Sequence, residues 1–93
     1  MKWIEVILLR SVETNRETVE SKLRRFIAME SKSGTQRKVQ VYCRVPVESD
    51  FCLHLIHDSE EVEPSGSRLA LRLVSALKDF GLVNHSVWFA LEK

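Results

Sequence analysis

The sequence lacks long apolar runs and has almost no net charge, and each absence excludes a class of protein. Its 93 residues carry a formal net charge of +1, so bulk electrostatics gives no attraction to nucleic acid or to an anionic membrane. The longest apolar runs are 6–9 and 87–91, far short of the roughly 20 residues that a membrane-spanning helix needs. Glu5 and Arg10 interrupt the start of the chain, so no signal peptide is expected. We therefore expect a cytoplasmic protein without nucleic-acid or membrane partners.

Cysteine is scarce, and the motifs of several enzyme classes are missing. The two cysteines, Cys43 and Cys52, fall in strand patterns that direct them to opposite faces of a sheet, so no disulfide is expected. The chain has no G-x-G-x-x-G, no C-x-x-C and no nucleophile elbow, and the acidic stretch 58–63 lacks the spacing of a calcium loop. His54 and His57 stand three residues apart on a strand pattern, so they cannot chelate one metal together. We expect neither a metal nor another cofactor.

What the chain does contain is a regular order of strand and helix patterns. Four segments are β-branched or alternate with period two, and two segments place apolar residues at helical spacing. These are strand 3–12, helix 17–30, strands 38–45 and 51–57, helix 65–80 and strand 86–92. Short connections and right-handed crossovers leave few arrangements for this order. The prediction is one α+β domain over 1–93, a ferredoxin-like βαββαβ sandwich with antiparallel strand order 4-1-3-2 and both helices on one face.

Period-two alternation assigns each strand residue to one face of that sheet. We expect the more uniformly apolar set to lie under the helices: Ile4, Val6, Leu8, Val39, Val41, Cys43, Phe51, Leu53, Leu55, Val87, Phe89 and Leu91. The other face then carries Trp3, Glu5, Ile7, Leu9, Gln40, Tyr42, Arg44, Cys52, His54, Ile56, Ser86, Trp88 and Ala90. Such a face is too apolar and aromatic to remain exposed, which predicts that a second copy of the chain covers it. Two interpretations stay open: these residues form only a dimer core, or they also line a ligand site.

Candidate catalytic residues are Glu5 and His54. Strand 1 adjoins strand 3 in the predicted order, so the Glu5 carboxylate is expected near the His54 ring. A carboxylate beside a histidine orients the imidazole for general-base chemistry. The alternative is a hydrogen-bonded buried pair without a chemical role.

Candidate ligand-binding residues surround that pair. Tyr42 and Trp88 offer rings that stack an aromatic ligand, and Arg44 offers a guanidinium that holds a carboxylate or phenolate. Asn84 and His85 precede the last predicted strand and are expected near Ser11, as one rim of a pocket. A turn that leads into the strand is the alternative for these two residues.

Two stretches of sequence resemble the dimeric α/β-barrel superfamily, which includes the antibiotic biosynthesis monooxygenases. The first is the opening strand Trp3-Ile4-Glu5-Val6-Ile7-Leu8-Leu9-Arg10, and the second is the run 80–88, Phe-Gly-Leu-Val-Asn-His-Ser-Val-Trp, which is similar to the close of uncharacterised short members. The resemblance implies a homodimer with facing sheets and a pocket between a sheet and its helices or loops. Some members oxygenate aromatic polyketides without metal or flavin. Others degrade haem with a histidine on the second helix, which 65–80 lacks.

The functional expectation is a homodimeric small-molecule-binding domain, monooxygenase-like toward an aromatic or polyketide-like compound. The alternative is a non-catalytic dimerisation or regulatory module in which the same face is only an interface. RNA-recognition domains share the topology and stack bases on strands 1 and 3 within a basic surround. The near-neutral charge of this chain argues against that third class.

Overall fold

A computed structural model describes residues 1–32 and 38–91 of the chain. The four strands are β1 Lys2–Ser11, β2 Lys38–Cys43, β3 Asp50–Asp58 and β4 Gly81–Phe89, and the two helices are α1 Arg16–Lys32 and α2 Arg68–Leu77. Short 3-10 turns, Glu13–Asn15 and Lys78–Phe80, precede α1 and follow α2. Within the described residues, neither helix combines the length and apolar character that crossing a membrane requires.

The strands form one antiparallel sheet in the order β2-β3-β1-β4. Read from the β4 edge, the same neighbours run 4-1-3-2. Helix α1 packs against β2, and α2 packs against β1 and β4. The chain is therefore an α+β domain with two helices and a four-stranded antiparallel sheet, an architecture compatible with a ferredoxin-like fold.

Both helices form because their apolar residues recur every three or four positions. In α1, Val19 and Leu23 are buried while charged residues face outward. In α2, the buried residues are Ala70, Leu73 and Leu77. Ser67 caps α2 by accepting a hydrogen bond from the backbone amide of Ala70 at 3.2 Å, which satisfies one otherwise unpaired amide of the first turn.

The core lies between the helices and one face of the sheet, which we call the helix-side face. On β1 this face carries Trp3, Glu5, Ile7 and Leu9, all nearly or fully buried. The register pairs Glu5 with Leu55 and Ile7 with Leu53, so these residues share the face with the buried side of β3. The prediction for β1 is therefore wrong, since Ile4, Val6 and Leu8 lie on the opposite face. For β2, β3 and β4 the predicted faces agree with the registers.

The last strand also begins earlier than predicted. The 3-10 turn after α2 ends at Phe80, and β4 starts at Gly81 with no intervening loop. Residues Asn84 and His85 therefore lie inside the strand, and neither forms a turn. His85 pairs with Ile7, whereas Ser11 pairs with Gly81, so the expected proximity of His85 to Ser11 is wrong. Residue 92 of the predicted strand lies outside the described residues.

The hairpin that joins β2 and β3 has a shifted register. A hairpin that paired Val45 with Phe51 would place Tyr42 opposite His54, and the sequence alone favours that pairing, but Cys43 pairs with Phe51 instead. Tyr42 is consequently opposite Cys52, and His54 is opposite Gln40. A shift of two residues preserves the faces, so Tyr42 and His54 remain diagonal neighbours.

Candidate functional site

The predicted site residues divide between the two faces of the sheet. Glu5 and His85 lie on the helix-side face, where they contact each other. His54, Tyr42, Trp88 and Asn84 lie on the opposite face, which we call the far face: Ile4, Val6, Leu8, Gln40, Tyr42, Cys52, His54, Ile56, Asn84, Ser86 and Trp88. Glu5 and His54 are thus separated by the sheet. The predicted catalytic pair does not form, because Val6 and not Glu5 is the partner of His54.

Glu5 instead belongs to a buried polar cluster with His57, Ser67 and His85, the Glu5 cluster. Its Oε1 accepts from the Ser67 amide at 2.8 Å and from His85 Nε2 at 3.0 Å. Its Oε2 accepts from Ser67 Oγ at 2.6 Å and from His57 Nε2 at 2.7 Å. A fully buried carboxylate is tolerated only when its oxygens are hydrogen-bonded in this way. The cluster joins β1, β3, β4 and the start of α2.

The protonation state of Glu5 follows from two opposing effects. Burial alone raises the pKa of the Glu5 carboxyl, but the hydrogen bonds from Ser67, His57 and His85 together lower the pKa below its ordinary value of 4.5. The carboxyl is therefore ionised at neutral pH. Because an ionised carboxylate only accepts hydrogen bonds, Nε2 of each histidine carries a proton.

Trp3 and Gly66 pack against the histidine rings of the Glu5 cluster. The Trp3 ring stacks on His57 with 4.0 Å between ring centroids, and its Nε1 donates to Ser59 Oγ at 2.9 Å. Gly66 adopts φ 97° against the His85 ring, and a Cβ there would lie 2.3 Å from His85 Cε1. Glycine is therefore required at this position for both conformation and space.

The Ser67 hydroxyl of the Glu5 cluster is not an accessible nucleophile. Ser67 is almost fully buried, and its hydroxyl donates to Glu5 while accepting from Ala70. A serine nucleophile needs a histidine base within hydrogen-bonding distance and a path for substrate. Sequence reasoning missed His57 and Ser67 as partners of Glu5, although the alternation that places His57 beside Leu55 and Leu53 indicated its face.

The far face is the accessible candidate site. Leu8, Tyr42 and Trp88 are each about half exposed or more, at 47%, 47% and 59%. The Tyr42 and His54 rings are 5.1 Å apart between centroids, and Trp88 Nε1 donates to Ser86 Oγ at 2.8 Å. Tyr42 is on the strand at one edge of the sheet and Trp88 is on the strand at the other, so their rings do not converge on one point.

Charge is confined to the two ends of the far face. At one end, Asp50 Oδ2 lies 3.2 Å from Arg44 Nη1 and 3.8 Å from Arg10 Nε. At the other end stand Lys2 and Lys38, which pair with Asp58 and Ile56 in the strand registers. The side chains between these ends are apolar, aromatic or uncharged polar groups apart from His54.

A pocket of about 380 Å³ opens at the Arg10 end of the far face. Its apolar lining includes Leu8, Tyr42 and Cys52, and its charged lining consists of Arg10, Arg44 and Asp50. Burial raises the pKa of the Cys52 thiol, so the thiol is protonated at neutral pH and is a weak nucleophile. Cys43 faces the opposite way, as predicted, and both cysteines are free.

In residues 1–32 and 38–91, no group of three or more His, Cys, Asp or Glu side chains is placed to hold a metal ion. The two histidines beside Glu5 each direct Nε2 to one oxygen of its carboxylate.

Comparisons with models of known protein families, with curated proteins and with solved structures found no match. The class of the protein consequently rests on the fold and the two faces of the sheet alone. It is an α+β domain with a buried ionic cluster under its helices and an uncovered, largely apolar face on the other side.

Proposed function

We propose that the protein is a homodimer whose far faces pack against each other, and that it binds a small aromatic molecule at the end of that interface. The observation that supports the proposal is the distribution of side chains on the far face. Most of the side chains between its ends are apolar or aromatic, and its lysine, arginine and aspartate side chains stand at the ends, which resembles a protein interface with a largely apolar core and a polar rim.

The size of the far face suits a second copy of the chain. Four strands of 10, 6, 9 and 9 residues, about 4.8 Å apart and with a rise of about 3.3 Å per residue, give a projected area of roughly 540 Å². Accessible area exceeds projected area, so the far face approaches the ~800 Å² per partner of a standard stable interface. Two identical faces also meet the requirement of two-fold symmetry, in which the same patch serves both subunits.

The proposed arrangement is that of a dimeric α/β barrel, and it agrees with the sequence resemblance to the monooxygenase-like group. The proposal is one of binding and not of catalysis. Catalysis is left out of the proposal because the sheet separates Glu5 from His54, and His54 therefore lacks the carboxylate that would orient it as a general base.

A non-catalytic dimerisation module is the second candidate. The observation that favours it is the separation of Tyr42 and Trp88 on opposite edge strands, where one small ligand cannot stack on both rings. In that case the far face is an interface throughout, and small aromatic molecules bind without measurable affinity.

The dimer is tested with two leucines of nearly equal exposure on opposite sides of the molecule. Leu8 on the far face is 47% exposed, and Leu71 on α2 is 49% exposed. The variant Leu8→Lys places a charge in the proposed interface and is expected to sediment as a monomer. Leu71→Lys is the matched control and is expected to remain a dimer like the wild type. A wild type that is monomeric at tens of micromolar, or a Leu8→Lys variant that still dimerises, contradicts the proposal.

A further inference from the structure

The pocket at the Arg10 end of the far face has the dimensions of a ligand site. Its volume of about 380 Å³ lies within the range of small-molecule pockets, which is roughly 300–1,000 Å³. Leu8, Tyr42 and Cys52 contribute apolar surface, and the Tyr42 ring adds an aromatic face. A planar molecule of one or two rings fits this volume and this lining.

The charged side chains that line the pocket carry more positive than negative charge. Arg10 and Arg44 both approach the same oxygen of Asp50, at 3.8 Å and 3.2 Å, so one carboxylate serves two guanidinium groups. The nearby Glu48 carboxylate is already paired with Arg16 at 2.8 Å. Both arginines remain more than half exposed, and each retains donors that Asp50 does not use.

We infer that this pocket takes an aromatic monoanion, with the ring against Leu8 and Tyr42 and the negative group bridging Arg10 and Arg44. The inference specifies the ligand class within the proposed function and rests on its ligand-binding part. Guanidinium groups bind planar carboxylates and related oxyanions through paired, charge-assisted hydrogen bonds. The second subunit is not needed to form these contacts, because every residue named lies in one chain.

The experiment compares two fluorescent probes that differ in charge. One is 2-naphthoate, a planar two-ring anion, and the other is 2-naphthamide, its neutral counterpart. In the double variant Arg10→Gln/Arg44→Gln, the affinity for the anionic probe is expected to fall about tenfold or more, while the affinity for the neutral probe changes less than about twofold. Arg24→Gln on α1, where exposed Arg24 pairs with Glu20, is the control and should leave both affinities unchanged.

A second variant is expected to change the affinity for the anionic probe in the opposite direction. Its result does not depend on how the arginine variants fold. Asp50→Asn removes the charge that Arg10 and Arg44 share, so the anionic probe should bind severalfold more tightly than to wild type. Equal losses for both probes in the arginine variant, no loss at all, no binding of the anionic probe to wild type, or weaker anion binding in Asp50→Asn would each overturn the inference.

Sedimentation of the same samples separates this inference from the proposed dimer. A wild type that is dimeric but binds the anion independently of the arginines overturns the ligand class and leaves the dimer intact. A monomeric wild type with arginine-dependent anion binding overturns the dimer and supports the pocket.

Discussion

At the residue scale, the hydrogen bonds to Glu5 explain how the helix-side face accommodates a buried charge. Its two oxygens receive four hydrogen bonds from Ser67, His57 and His85, so the ionised form is stabilised inside the core. Removing the acceptor leaves buried donors unpaired, and each unpaired donor costs free energy. Glu5 is therefore expected to contribute to the stability of the fold.

The variant Glu5→Gln should unfold more easily by about 2–3 kcal/mol near neutral pH. Because the pKa of Glu5 is lower in the folded than in the unfolded chain, its contribution is fully present above 4.5 and is lost as the pH falls through the folded-state pKa. The difference between wild type and variant should therefore narrow in acid. Urea unfolding in a pH series measures both effects.

Glu60→Gln provides the control for that series, since Glu60 is exposed in the loop before α2. Its stability curve should follow the wild type within about 0.5 kcal/mol. A Glu5→Gln variant whose stability deficit stays constant down to strongly acidic pH would show that the charge of Glu5 is not what the cluster stabilises.

At the element scale, β1 shows where sequence reasoning succeeds and where it fails. The strand itself and its neighbours follow from its composition and the chain order. Its faces do not, because Ile7 and Leu9 are as apolar as Val6 and Leu8, so period-two alternation cannot choose between them. Glu5 favoured the wrong choice, because its charge left Ile4, Val6 and Leu8 as the more uniformly apolar set.

The hydrogen-bond donors that stabilise Glu5 on the helix-side face are far from it in the sequence. His57 is 52 residues from Glu5, Ser67 is 62 residues away and His85 is 80 residues away. No local pattern connects them, and only the registers of three strands and the position of the α2 N-terminus bring them together. The same distance explains why the catalytic pairing with His54 was predicted wrongly.

The predicted boundary between α2 and β4 was wrong for a different reason. Gly81 indicated the end of the helix, and Asn84 then suggested a turn. The 3-10 turn at Lys78–Phe80 completes the reversal by itself, so the strand begins at once. Short helical turns of this kind leave little trace in hydrophobic periodicity.

Adjacent residues of β1 give a direct test of the face assignment. Ile7 is fully buried and Val6 is half-buried on the far face, so Ile7→Ala should cost about 2–5 kcal/mol and Val6→Ala less than about 1 kcal/mol. The comparison is made by urea unfolding in the Leu8→Lys background, where the dimer is expected to be absent. A larger cost for Val6→Ala would restore the originally predicted faces.

At the scale of the whole molecule, the far face links folding to association. If two copies cover it, the apolar area buried between subunits adds to the stability of each, and the melting temperature depends on protein concentration. The midpoint should rise by roughly 5 °C over a hundredfold increase in concentration. Leu71→Lys should keep this dependence and Leu8→Lys should lose it. A concentration-independent midpoint for the wild type is incompatible with a dimer that forms on folding.

The hydrogen bonds of Glu5 also impose an order on assembly. Glu5 is synthesised 80 residues before His85, which completes its set of hydrogen-bond donors. Until β4 has been synthesised and paired with β1, the carboxylate can enter the core only without the hydrogen bond from His85. Closure of the helices over the sheet before that point is thereby disfavoured, so the buried carboxylate couples the packing of the helices to the pairing of β4 with β1.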